Sequence, residues 1–198
     1  MNDYQKTCST LERLSKWQRV VFCAACAEQV SPVFRALASP RGMDGFMDAL
    51  EFVWSSFMDD EAPQKAAGFR ELIDSSEDSA IDDSDNPRYY AMRSLGVLAA
   101  CLDAIGSPDG LAASRAACAG ALNLANNLDF LLRQNEEHRP SDPGPTETES
   151  TILIEFLDLL MRRPDFSWDT VSRLREKAKD CSTLYSKRLP TFSDVVLQ

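Results

Sequence analysis

One histidine, His138, is all the imidazole this 198-residue chain has. A site needing two histidines is therefore excluded, including a His-rich zinc centre and the paired Glu-x-x-His motifs of di-iron helical bundles. His138 itself sits beside Glu136, Glu137 and Arg139 in a proline-rich stretch, where it reads as exposed and idle. Glycine-rich phosphate loops are also missing: no G-x-G-x-x-G, Walker-type or G-x-S-x-G pattern occurs. No run alternates apolar and polar residues as a half-buried strand does, and no segment repeats at a fixed period. The start MNDYQKTCS has no apolar run behind a basic end, and no stretch approaches eighteen consecutive apolar residues. The expectation is a cytoplasmic protein with neither a signal peptide nor a membrane span.

Cysteine is present, six times, but not in ligand pairs. Cys8, Cys101, Cys118 and Cys181 are solitary, which argues against zinc. Cys23 and Cys26 have the C-x-x-C spacing of a redox motif, yet they lie in a helical pattern with no strand before them. Cys23, Cys26, Cys101, Cys118 and Cys181, set among Ala, Val and Leu, read as small buried hydrophobes. The carboxylate-rich DSSEDSAIDDSD lacks the glycine turn and terminal bidentate Glu of an EF-hand loop, so calcium is not expected either. No cofactor and no catalytic residue is expected.

What the sequence does have is helical periodicity. Leu11, Leu14, Trp17, Val21, Ala24 and Ala25 recur at three- and four-residue steps, with Glu12, Arg13, Lys16 and Arg19 on the other side. This predicts an amphipathic helix over 11–34 that kinks or restarts at Ser31-Pro32, a cap and first-turn pair. Phe46, Leu50, Val53, Trp54 and Phe57 predict a helix ending near Asp59. A shorter one covers Asp60 to Asp74. Pro87 opens a helix that Gly106, Ser107 and Pro108 close, and an Ala-rich helix from about Asp109 to Arg133 reads as the centre of the bundle. Residues 135–149, with three prolines and a glycine, read as a long connection. A strong amphipath follows at 150–163. Ser167 caps a last helix to about Lys187, and the tail PTFSDVVLQ reads as a docking or extended end. Trp17, Trp54, Trp168, Phe22, Phe46 and Phe57 read mainly as core. With 44% hydrophobic residues the chain can fill one core. The expected fold is a single all-α domain over 1–198, a compact bundle of about seven or eight helices.

The segment LERLSKWQRVVFCAACAEQVSPVF, at 11–34, resembles the YjaG-like bacterial proteins, an all-helical family described as a domain of unknown function. The resemblance continues in order through ALEFVW at 49–54, RYYAMRSLGVLAACLDAI at 88–105 and ILIEFLDLLMRR at 152–163, so it covers most of the chain. It implies a compact helical domain and transfers no catalytic residues. The stretches 75–87 and 135–149 are peculiar to this chain.

Charge is unevenly spread. Glu71, Asp74, Glu77, Asp78, Asp82, Asp83 and Asp85 crowd fifteen residues with no Lys or Arg among them. From Arg162 to Arg188, eight basic residues face four acidic ones, a local +4 that leaves −14 elsewhere in a chain of net −10. Phosphates are repelled from most of such a surface, so nucleic acid is not the expected partner. As a charge run the acidic loop reads as a solvated connector; as a functional surface it reads as a docking site for a basic protein. The functional expectation is a non-enzymatic protein-binding domain. In its most concrete form this is a bacterial immunity protein that covers a basic toxin domain, with those seven carboxylates as contacts and no membrane partner. A signalling or regulatory adaptor of the YjaG-like family and a small-molecule-binding bundle are the alternatives.

Overall fold

Apolar residues at helical spacing organise nearly the whole chain. The computed structural model describes residues 3–39, 41–83, 86–134, 144–162 and 167–196. They form eight α-helices with no strand among the described residues: α1 (Asp3–Arg13), α2 (Lys16–Leu37), α3 (Gly42–Ser55), α4 (Ala62–Asp74), α5 (Arg88–Gly106), α6 (Leu111–Gln134), α7 (Pro145–Met161) and α8 (Trp168–Val196). A 3-10 turn, Ser56–Met58, extends α3. The buried hydrophobic side chains make one cluster with members from every helix.

The axis of the bundle is α2, not the Ala-rich α6 that the small residues of 109–133 pointed to. Helices α5, α8, α6, α3 and α7 all pack on α2, and eighteen of its residues are buried. Its composition explains this. Val20, Val21, Phe22, Cys23, Ala24, Ala25, Cys26 and Ala27 are fully buried in succession, so the helix has no water-facing stripe and is covered all round. It is also long and apolar enough to cross a membrane by length and composition, but most of that stretch is buried inside the fold.

The chain breaks elsewhere than at Ser31-Pro32. Helix α1 ends at Arg13, and Ser15 caps α2 in a reciprocal box. Its Oγ accepts from the Gln18 amide at 3.3 Å, while Gln18 Oε1 accepts from the Ser15 amide at 2.9 Å. Pro32 lies inside α2, which runs through it to Leu37. A proline inside a helix costs about 3 kcal/mol, and here both halves of α2 are buried in the same core, which outweighs that penalty. Ser15→Ala removes one half of the cap and is expected to cost about 1 kcal/mol. For a domain of this size that lowers the melting temperature by about 3 °C, measurable by circular dichroism.

Arg19, expected on the wet side, is only 8% exposed. Its Nε donates to the Leu11 carbonyl at 2.8 Å, Nη2 to that of Glu12 at 2.9 Å and Nη1 to that of Asp109 at 2.9 Å. A guanidinium can be buried this deeply because it satisfies carbonyls at the C-terminal end of α1, where a cation is also favoured by the helix dipole.

Two further boundaries differ from the sequence reading. Residues 145–149 are helical: Gly144 is the cap, and Pro145 takes a first-turn position where its missing N–H costs nothing. The C-terminal stretch continues α8 to Val196 in place of an extended end. The other expected boundaries agree. The α5 helix stops at Gly106 with Ser107 as its cap, and the Thr170 amide donates to Ser167 Oγ at 3.4 Å where α8 begins.

Candidate functional site

Six of the seven carboxylates singled out above lie in the described residues; Asp85 lies outside them. Glu71 and Asp74 are exposed on the last turn of α4. Glu77 is exposed on the turn that follows, and Asp82 and Asp83 are exposed on the coil leading to α5. Asp78 is different. It is completely buried, although it sits in the middle of the acidic run. One of its oxygens accepts from the Ser39 hydroxyl at 2.8 Å and the Ser39 amide at 3.1 Å, and the other accepts from Arg88 Nε at 2.8 Å. Asp78 is therefore an anchor that ties the turn to the end of α2 and the start of α5, and no partner can reach it directly.

The two arginines that flank the run also fold back on it. Arg70 pairs with Asp74 and with Asp103 of α5, and Arg88 approaches Glu77 to 3.8 Å. The face stays acidic, but less so than a run of seven uncompensated carboxylates. Part of the basic excess near the C-terminus is likewise paired. Arg175 pairs with Glu51, lies 3.6 Å from Glu28 and stacks over the Trp54 ring at 5.6 Å. Lys177 pairs with Glu155 at 2.7 Å.

Beside the acidic turn lies an open groove of about 480 Å³ between α3 and the end of α4. Phe46, Ile73 and Leu95 are its buried floor, and Leu72, half exposed, is its lip. Phe34 stacks beneath Phe46 with ring centroids 4.2 Å apart, so the floor is backed by the core. Two glycines open it. A Cβ on Gly42 would stand 2.6 Å from the Asp78 carboxylate, and one on Gly45 would stand 3.3 Å from the Leu72 side chain. Sequence reasoning placed Phe46 and Leu72 on helices and missed the groove; the GMDG spacing of small residues was the available signal.

A second feature missed in the sequence is a buried polar centre where α2, α7 and α8 meet. Glu149 is 1% exposed. Its Oε2 accepts from Gln29 Nε2 at 2.7 Å and from the Tyr185 hydroxyl at 2.8 Å. Glu149 Oε1 and Gln29 Oε1 are both buried without a hydrogen-bond partner among the described residues. Burial pushes the Glu149 carboxyl up from 4.5 to about 7, against the pull of the Tyr185 hydrogen bond. The signal was readable. Glu149 leads the stripe Ile152, Leu153, Phe156, Leu157 and Leu160 at three- and four-residue steps, so a helix extended back to Pro145 buries it.

Four of the cysteines sit where a thiol is a poor nucleophile. All six are free thiols, five of them buried. Burial raises Cys26, Cys101, Cys118 and Cys181 above the usual thiol range, which keeps them protonated and poor nucleophiles. Among the described residues no group of three or more His, Cys, Asp or Glu side chains is placed to hold a metal ion. His138 lies outside the described residues.

With this geometry in place, comparison with solved structures finds the same fold in a crystal structure of a DUF416 family protein from Shewanella baltica OS155. The TM-score is 0.62 over 87% of this chain and 93% of that one, at 16% sequence identity. At that identity the likeness is one of fold alone. No family model matches the chain, and no curated protein is significantly similar to it.

Proposed function

We propose that this protein acts by binding a basic protein partner through the acidic face formed by the end of α4 and the segment leading to α5, in the manner of a bacterial immunity protein that covers a toxin domain. The observation that carries this reading is the exposure of Glu71, Asp74, Glu77, Asp82 and Asp83 around a turn whose own buried carboxylate, Asp78, ties it to the end of α2 and the start of α5. A charged surface held rigid in this way steers an oppositely charged partner and loses little conformational entropy on docking. Asp78 belongs to the support of that face and not to its contacts. The resemblance of residues 11–34 to the YjaG-like proteins supports a place in a helical family, the DUF416 protein shares the fold, and neither supplies an activity.

The test is capture of partners from the producing organism with the wild-type chain and with a variant carrying Glu71→Gln, Glu77→Gln, Asp82→Asn and Asp83→Asn. The expected result is a basic protein retained by the wild type, released at high salt and bound more than about tenfold more weakly by the variant. Co-expression with the captured protein then reports whether its activity is suppressed. Equal capture by both forms removes the acidic face from the interface.

A further inference from the structure

The groove beside the acidic turn is lined in a way that selects a particular kind of ligand. Its floor, Phe46, Ile73 and Leu95, is apolar, and Leu72 stands half exposed at its edge. Asp48 and Glu77 stand among its walls. Asp44, one turn from Asp48 on α3, and Glu71, on the last turn of α4, extend the negative charge on either side, while Asp74 is paired with Arg70. Arg41 is the one basic side chain in the lining among the described residues. Its volume lies in the range of clefts that take whole ligands. We infer that this groove receives an apolar side chain of a partner polypeptide, Leu, Ile, Met or Phe, flanked within a few residues by Lys or Arg that meet Asp48 and Glu77.

This inference deepens the binding function proposed above and rests on it for the choice of a protein partner. Charge complementarity argues for the basic flanks, and the floor argues for the apolar anchor. Interfaces of this kind take most of their affinity from one desolvated anchor, with the charges setting rate and register. The glycines matter because a side chain at position 45 occupies the space the anchor needs. Leu72, the nearest neighbour of that space at 3.3 Å from a Cβ, is half exposed, and leucine is a better helix former than glycine, which favours Gly45→Leu as a variant that retains the helix.

A phage-displayed library of random linear dodecapeptides, panned on the full-length protein, tests this directly. The expected result is enrichment of peptides with Leu, Ile, Met or Phe next to Lys or Arg. A synthetic consensus peptide then binds Gly45→Leu about tenfold more weakly, with a salt-dependent affinity. Circular dichroism checks the fold, and if Gly45→Leu does not fold, Leu72→Ala, which removes the lip from an exposed position, carries the same expectation. Peptides without basic residues, unchanged binding to the groove variants, or no enrichment overturn the inference. Loss of binding in the four-carboxylate variant with none in the groove variants overturns the groove alone and leaves the acidic face standing; no loss in either set of variants overturns both.

Discussion

Asp78→Ala is expected to destabilise the protein by about 3 kcal/mol, far more than any other substitution in the acidic segment, and to lower the melting temperature by about 9 °C. Truncation removes the acceptor for two donors of Ser39 and for Arg88 Nε at a position with no access to water. Breaking a buried ion pair by deleting one member leaves the other charge unpaired, at a cost of about 3–5 kcal/mol. Arg88 is one-third exposed and can recover some hydration, which places the loss at the low end of that range. The Ser39 amide lies just past the end of α2 and has no such escape. Asp78→Asn keeps the shape and one acceptor oxygen and is expected to recover part of the loss. Asp82→Asn, on the exposed coil, is the control and should leave the melting midpoint within about 1 °C. Thermal denaturation followed at 222 nm decides the matter. A melting temperature for Asp78→Ala equal to that of the control would remove Asp78 from the architecture of the turn.

The same substitution separates support from contact. If the acidic face binds as one rigid surface, Asp78→Ala lowers partner affinity by freeing the turn, even though Asp78 touches no partner. Replacing Asp82 lowers affinity without moving the melting temperature. A surface made only of independent charges shows no such division.

Much of this arrangement was readable in the residues, and what escaped has a common cause. Apolar spacing located α3, α4, α5, α6 and the start of α8 closely because each carries apolar residues at helical steps and a recognisable start or stop, as with Ser167 before α8 or Gly106 at the end of α5. Helix α1 was missed in its first eight residues because DYQKTCST offers only Tyr4 and Cys8 as apolar positions, too few to mark a buried face. It is held from outside, by Leu11 in the core and by the guanidinium of Arg19. Pro32 and Pro145 misled in opposite directions. One sits inside a helix that core burial holds together, and the other opens a helix that its presence had argued against. Among the carboxylates, sequence position shows the sign of the field and not who faces water. The partners of Asp78 are 39 and 10 residues away, so its burial is a tertiary fact. The groove is tertiary in the same sense, since its walls come from α3, the end of α4 and α5.

Glu149→Gln is expected to make the protein more stable than wild type above pH 7 and to leave it nearly unchanged at pH 5. Burial holds the folded carboxyl at about 7 against 4.5 when exposed, so the native state keeps a proton that the unfolded chain releases between those values. The sign follows. The stabilisation is complete below about pH 4.5 and is lost as pH rises through 7, for a total of about 3 kcal/mol. The groups facing Glu149 do not reverse this. Cys26, Cys118 and Cys181 are thiols held protonated by burial, and Tyr185 donates to the carboxylate without neutralising it. In the protonated acid one carboxyl oxygen becomes a donor, and the Gln29 amide, which already donates one hydrogen bond to this carboxyl, carries a buried oxygen with no partner among the described residues. An amide at position 149 supplies the same donor at every pH and keeps an acceptor for Tyr185. Melting temperatures of both forms should diverge between pH 5 and about 7 and level off above that, the wild type falling by several degrees relative to Glu149→Gln. Parallel curves would mean that Glu149 is ionised in the folded protein throughout, and that its second oxygen is satisfied by something other than its own proton.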